Sequence, residues 1–215
     1  MSKIYSKKYK CPICSRSHTI EVTDDVGCFL DGVPYQTMES MMKMVALCEN
    51  CGVLYTTSKF DANVDEQTAW RSEEYQQAYQ ASYRDMTEKK LALFDAMYHP
   101  TYMPLYYAHY YREVGDTEQE RRWLRTAIAN IESGADEEEY NMDGMDFAAY
   151  HIQGVFHLTP EMRVVDLYRR AGEYDKAFQH ITQLKCTPEY EIDNALMQYI
   201  EYQEMLLASQ NTNLV

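Results

Sequence analysis

Two short cysteine units constrain this chain more than any other feature: Cys11-Pro12-Ile13-Cys14 and Cys48-Glu49-Asn50-Cys51, the second followed by Gly52. Two residues between thiols let one tight turn aim both sulfurs at a single point, with the amides of the turn facing them. Four thiolates from two such turns complete the tetrahedron that a structural zinc ion prefers, and they leave no position open for a substrate. A single C-x-x-C could be a redox pair, but two of them with turn-forming Pro and Gly fit a metal site better. The spacing therefore predicts Zn2+ held by Cys11, Cys14, Cys48 and Cys51, with strands beside each turn pairing as hairpins of a small ribbon. The 33 residues between Cys14 and Cys48 exceed what a compact ribbon needs, so the connection carries elements of its own. Two alternatives stay open: His18, four residues beyond Cys14, or Cys28, inside the connection, could replace one of the four. Cys186 lies far along the chain and reads as an ordinary buried thiol.

Charge separates the cysteine-bearing part from the rest. Residues 1–60 carry 7 basic and 6 acidic side chains, whereas residues 61–215 carry 13 and 28, so a net charge of −14 falls almost wholly on the second part. Short β-prone runs, Thr19 to Thr23 and Val53 to Thr57, lie before the break near Phe60. After Asp65 the apolar spacing changes to three and four, the period of a half-buried helix. The expectation is a mainly α protein: a zinc-ribbon-like module at 1–60 and a helical domain at 61–215. No apolar run reaches the roughly 18 residues that span a bilayer, and the start lacks a secretory h-region, which predicts a cytoplasmic chain with no membrane association.

Several helices can be placed. Tyr75, Ala78, Tyr79, Ser82, Tyr83 and Met86 share one helical face, which predicts a single helix through Met86. A second runs through Leu91, Phe94 and Met97. A third starts around Pro104 and stops at Gly115, because glycine accepts the left-handed conformation of a helix end. Thr117 and Glu120 have capping-box spacing and open a fourth, whose inner face is Trp123, Leu124, Ala127, Ile128 and Ile131. Residues 135–146 are acidic and read as an exposed loop; the ligand pattern of an EF-hand is missing there. Met162 to Arg170, Tyr174 to Leu184 and Glu189 to Leu207 complete the series, the last with Ile192, Ala195, Leu196, Tyr199, Ile200 and Leu207 on one stripe.

The segments Ala108-x2-Tyr111-x3-Gly115-Asp116 and Val165-x2-Tyr168-x3-Gly172-Glu173 align with one another, each followed by an amphipathic helix. This resembles the tetratricopeptide repeat, although the glycines lie 57 residues apart where a regular array has roughly 34. An ordinary helical bundle is the alternative. In repeat register, His109 and Arg112 on one first helix, and Arg169 and Arg170 on the other, would face a groove suited to an acidic peptide or a carboxylate. The same arginines could instead pair with Glu113, Asp166 and Glu173. A Lys- and Tyr-rich start, a CPxC turn, a CxxCG turn and helices carrying Tyr-Arg-Glu-Val-Gly-Asp and Leu-Tyr-Arg-Arg-Ala-Gly-Glu-Tyr-Asp-Lys-Ala together resemble an uncharacterised bacterial domain family with an N-terminal zinc ribbon and tetratricopeptide-like helices. That resemblance implies a bacterial, cytoplasmic protein with zinc on the four cysteines, and brings no assigned activity.

No glycine-rich phosphate loop, G-x-S-x-G elbow or H-E-x-x-H helix occurs, and the six histidines are scattered. The expected function is therefore a non-enzymatic adaptor binding a protein or peptide. Lys3, Lys7, Lys8, Lys10 and Arg16, with Tyr5 and Tyr9 between them, keep nucleic acid as the alternative partner, against the repulsion of a −14 chain. An enzyme of unrecognised class is a further alternative. The 20 tyrosines are read chiefly as packing between helices, with Tyr106, Tyr107, Tyr110 and Tyr111 too numerous for all to be buried.

Overall fold

The computed structural model describes residues 4–11, 13–23, 26–28, 34–36, 38, 42, 45–56, 66–99, 103–134, 160–188, 190 and 193–210. The acidic segment and the intervening Phe147, Tyr150, His151 and Phe156, as well as Lys3, Met41, Met44, Ile192 and the Cys28 side chain, lie outside the described residues. The protein is mainly helical, with small antiparallel strand pairs at its start, as the change of apolar period predicts. Strands β1 (Ile4–Lys10) and β2 (Ser17–Thr23) form one hairpin, β3 (Val26–Cys28) pairs with β4 (Pro34–Gln36), and β5 (Val45–Leu47) with β6 (Leu54–Thr56). The helices are α1 (Glu66–Trp70), α2 (Glu73–Gln80), α3 (Met86–Tyr98), α4 (Met103–Glu113), α5 (Thr117–Glu132), α6 (Pro160–Arg170), α7 (Tyr174–Lys185) and α8 (Asn194–Ala208). None of them is long and apolar enough to cross a membrane.

Two compact units result. One holds the strands and α1 to α4, ending at Val114, so the compositional change near residue 60 falls inside it; the described residues of the other start at Gly115 and hold α5 to α8.

In the first unit the expected single helix from Tyr75 to Met86 is two. Helix α2 starts on Ser72, whose hydroxyl accepts from the Tyr75 amide, and ends at Ala81 in an extended conformation. Asp85 then caps α3, accepting from Glu88 N, while the Glu88 carboxylate accepts from Arg84 N at 2.6 Å. Local capping thus overrides the shared stripe, and Met86 is left 57% exposed. Helix α4 is tied to that cap: the Tyr110 hydroxyl donates to Asp85 at 2.8 Å, and Tyr111 donates to Glu88. Tyr106, Tyr107 and Tyr110 are all buried and Tyr111 is half-buried, so this cluster is chiefly packing. Part of the long connection between the cysteine units is fastened to the same helices. Both carboxylate oxygens of Glu113 accept from the Met38 amide at 3.0 Å, Lys90 Nζ donates to the Met42 carbonyl at 2.9 Å, and Met38 and Met42 are buried.

In the second unit α6 packs against α5 and α7, and α8 packs against α7. Met162, Val165, Ile181, Leu184, Leu196, Tyr199, Ile200 and Leu206 form its core, and the Tyr199 hydroxyl donates to the Met162 carbonyl at 2.6 Å. On α8 the inward stripe runs through Gln203 and Leu206, with Leu207 only partly buried. The expected capping box at Thr117 is displaced by one residue. Asp116 is the N-cap, accepting from Gln119 N, and Glu120 is buried beside Arg170. Helix α6 ends as its glycine predicts: Gly172 has φ +77°, its amide donates to the Arg169 carbonyl and Glu173 N donates to the Tyr168 carbonyl.

Candidate metal centre

Both cysteine units fold into the same backbone turn. Cys11 N donates to Arg16 O at 2.8 Å and Ser15 N to Cys11 O at 3.0 Å; Cys48 N donates to Val53 O at 2.9 Å and Gly52 N to Cys48 O at 2.7 Å. Offsets of five and four residues are shared, and so is a left-handed residue after the second cysteine: Ser15 at φ +59°, Gly52 at φ +74°. The first turn joins β1 to β2 and the second joins β5 to β6, so each pair of sulfurs is delivered by the tip of a hairpin.

The sulfurs meet. Cys11, Cys14, Cys48 and Cys51 bring their Sγ atoms within 4.8 Å of one another. Cys11 Sγ lies 3.6 Å from Cys51 Sγ, and Cys14 Sγ lies 3.6 Å from Cys48 Sγ. A disulfide would need about 2.05 Å, and all four are free thiols. Four sulfurs each about 2.3 Å from one ion would stand about 3.8 Å apart, so the cluster has the dimensions of a tetrahedral metal site. Backbone amides face the sulfurs as well: Cys14 N donates to Cys11 Sγ at 3.5 Å. The donor set and its size fit a metal ion.

Electrostatics point the same way. The Arg16 amide holds the Cys14 thiol down at about 6, whereas burial pushes Cys51 up to about 12 and raises Cys11. Burial, then the charges of the four cysteines, pushes the Tyr55 phenol up to about 12, and its buried hydroxyl has no hydrogen-bond partner among the described residues. Ionising all four thiols this close together is costly, and a cation among them would offset that cost.

The second turn has support that sequence reasoning missed. The Tyr75 hydroxyl donates to Gly52 O at 2.8 Å and accepts from Leu54 N at 2.8 Å, spanning the turn from helix α2. Tyr79, one turn further on, lies so close to Gly52 that a Cβ there would meet its ring carbons at 2.9 Å, and Lys89 Nζ sits 4.3 Å from the centre of that ring. The periodic stripe carried Tyr75 and Tyr79 to one face, but nothing in it signalled a knuckle as the surface they cover.

His18 is not one of the four clustered donors. It stands opposite Tyr9 in the β1–β2 hairpin, and its Nε2 lies 3.1 Å from Cys48 Sγ. The Cys186 expectation needs correcting: the residue is exposed, because it occupies the C-cap of α7 and not its inward stripe.

The residues expected to line a groove are placed as follows. In the first unit His109 is buried with Nε2 3.0 Å from Glu113 Oε1, and Arg112 is half-buried. In the second, Arg169 is 0% exposed; its guanidinium donates to Asp166 at 2.5 Å and to Gln203 at 2.9 Å. Arg170 is 8% exposed, 3.7 Å from Asp166 and 3.8 Å from Glu120. Both arginines pair with Asp166 on their own helix, while Arg169 ties α6 to α8 through its hydrogen bond to Gln203 and Arg170 ties α6 to α5 through its ion pair with Glu120.

No protein-family model, curated protein or solved structure matches this chain.

Proposed function

We propose that this is a zinc-stabilised, non-enzymatic interaction protein of the cytoplasm, with one structural Zn2+ on Cys11, Cys14, Cys48 and Cys51 and a helical part that binds a protein or peptide partner. The observation that carries the zinc assignment is the cluster of four sulfurs within 4.8 Å of one another on two matching turns, with Cys11–Cys51 and Cys14–Cys48 each at 3.6 Å. An all-thiolate tetrahedron suits zinc, and with every vertex supplied by the chain it serves folding, since no vertex is left for a substrate. The ion would supply two positive charges to otherwise repelling thiolates and a covalent link between the β1–β2 and β5–β6 hairpins.

The adaptor role rests on the repeat-like segments ending at Gly115 and Gly172 and on the antiparallel pair α6–α7. Of the four residues expected to touch a partner, Arg112 is the one whose side chain reaches solvent, and Arg169 and Arg170 act by fixing α6. One observation favours the nucleic-acid reading as the second choice: Lys8, Lys10 and Arg16 are exposed on the first hairpin beside Ser17 and Thr19. Elemental analysis of purified protein tests the first statement and should return one zinc per chain. Co-purification from native extract, with mass spectrometry of bound proteins and absorbance for nucleic acid, tests the second. Nucleic acid that remains bound at physiological salt would reverse the order of the two readings.

A further inference from the structure

The two turns differ in how the sulfur of their first cysteine is partnered. In the first, Cys11 Sγ receives an amide of its own turn, from Cys14. In the second, Cys48 Sγ meets a side chain from elsewhere, the imidazole Nε2 of His18 at 3.1 Å. We infer that His18 is a positioning residue of the metal centre, donating its Nε2–H to the Cys48 thiolate without coordinating the ion. The inference rests on the zinc reading above.

Three features of the structure support it. The hairpin register places His18 directly opposite Tyr9, and strand alternation turns it away from the solvent-facing Ser17 and Thr19. The ring is therefore aimed by backbone pairing, and its half-buried position is set before any metal arrives. Four sulfurs within 4.8 Å of one another suffice for the four vertices of a tetrahedral ion, which would leave no vertex for a fifth protein ligand. A metal-bound thiolate is an acceptor, so the nitrogen 3.1 Å away must carry the proton. Four thiolates on a divalent ion leave a net charge of −2, and each N–H directed at sulfur spreads that charge and fixes the ligand's orientation. His18 thus joins the two hairpins through the metal shell: it stands on β2, beyond the first turn, and holds a cysteine of the second.

The expected effect follows from what outer-shell partners of metal ligands contribute, about 10- to 100-fold in metal affinity. Zinc affinity of the full chain, measured by competition with a chromophoric chelator, should fall by that factor in His18→Ala and recover in large part in His18→Gln, whose amide keeps an N–H donor. Cobalt-substituted wild type and His18→Ala should both show the charge-transfer intensity of four thiolates. A second measurement needs no variant: in zinc-loaded wild type labelled with 15N-histidine, His18 should be the Nε2–H tautomer. Unchanged affinity in His18→Ala, a cobalt spectrum of three sulfurs and one nitrogen in wild type, or an Nε2 without its proton would each overturn the inference. Wild type that binds no zinc would instead defeat the metal reading itself.

Discussion

The two cysteine turns share one backbone and differ in what stands behind them. The first carries Ser15 at its left-handed position, the thiol of its second cysteine is held at about 6, and its flank is a strand face of Lys8, Lys10, Ser17 and Thr19 open to solvent. The second carries Gly52 at the same position, is bridged by the Tyr75 hydroxyl and covered by Tyr79, and runs into the buried residues Val53, Leu54 and Tyr55. The same ligand motif is thus built once as a surface loop and once as part of a core. A metal ion held by the four cysteines would join a turn flanked by solvent-exposed residues to one seated on buried ones, which is where a crosslink has most to add.

The largest effect that probes this comparison is removal of a ligand from either side. Cys11→Ser and Cys48→Ser should each abolish stoichiometric zinc by elemental analysis, since three thiolates no longer fill the tetrahedron. The change at Cys48 should also lower the melting temperature more, because that turn belongs to the core. Substitution of the left-handed residues should separate the turns next. Gly52→Ala places a Cβ against Tyr79 and a side chain at φ +74°, and should cost about 1–3 kcal/mol in denaturant unfolding. Ser15→Gly relaxes its own position and should change stability by less than about 1 kcal/mol.

Tyr75→Phe comes third. It strands the buried amide of Leu54 and the carbonyl of Gly52, with an expected loss of about 1–3 kcal/mol. Acid should distinguish the turns more gently. Zinc binds thiolates, so protons compete and retention falls as pH falls; because Cys14 stays ionised down to about 6 while burial raises Cys11 and Cys51, the loss should steepen below that pH as one further proton must be displaced. Chelator competition at pH 5.5, 6.5 and 7.5 measures the slope, and a slope that does not change across pH 6 would contradict the assignment of Cys14. The smallest effect belongs to Cys186→Ser, which should leave both zinc content and melting temperature unchanged, as its side chain is exposed.

The four-cysteine cluster was legible because its chemistry is local: two residues between sulfurs specify a turn, and two such turns can bring four sulfurs together. Helix ends marked by Gly115 and Gly172 were legible for the same reason. What periodicity could not supply was the identity of the opposite surface. Tyr75 reads as one more inward tyrosine, and only tertiary packing makes it the brace of a turn 23 residues earlier in the chain. Arg169 and Arg170 read as facing a groove or pairing with nearby acids, yet α6 is buried from Met162 to its last residue, Arg170, and the two guanidiniums are accommodated by Asp166, Glu120 and Gln203. A helix enclosed on all sides with its ions paired has the same pattern in sequence as one that faces water. The caps failed differently: Asp116 competed with its neighbour Thr117, of nearly equal propensity, and Asp85 interrupted a stripe that read as one continuous helix.

The spacer between the cysteine turns, fastened at Met38 by Glu113 and at Met42 by Lys90, bears on the order in which this unit can assemble. A cross-link that closes a free loop of some 33 residues removes about 4 kcal/mol of chain entropy from the unfolded ensemble, by the relation that applies to disulfides. With the middle of the spacer already seated on α3 and α4, the stretches left to close are residues 15–37 and 43–47. Conversely, an ion that has gathered both turns first shortens the search by which Met38 and Met42 reach their helices. Ion capture and helix docking are consequently two fastenings of one strap, each lowering the entropic barrier to the other, and the unit should acquire its metal and its tertiary structure in a single cooperative step.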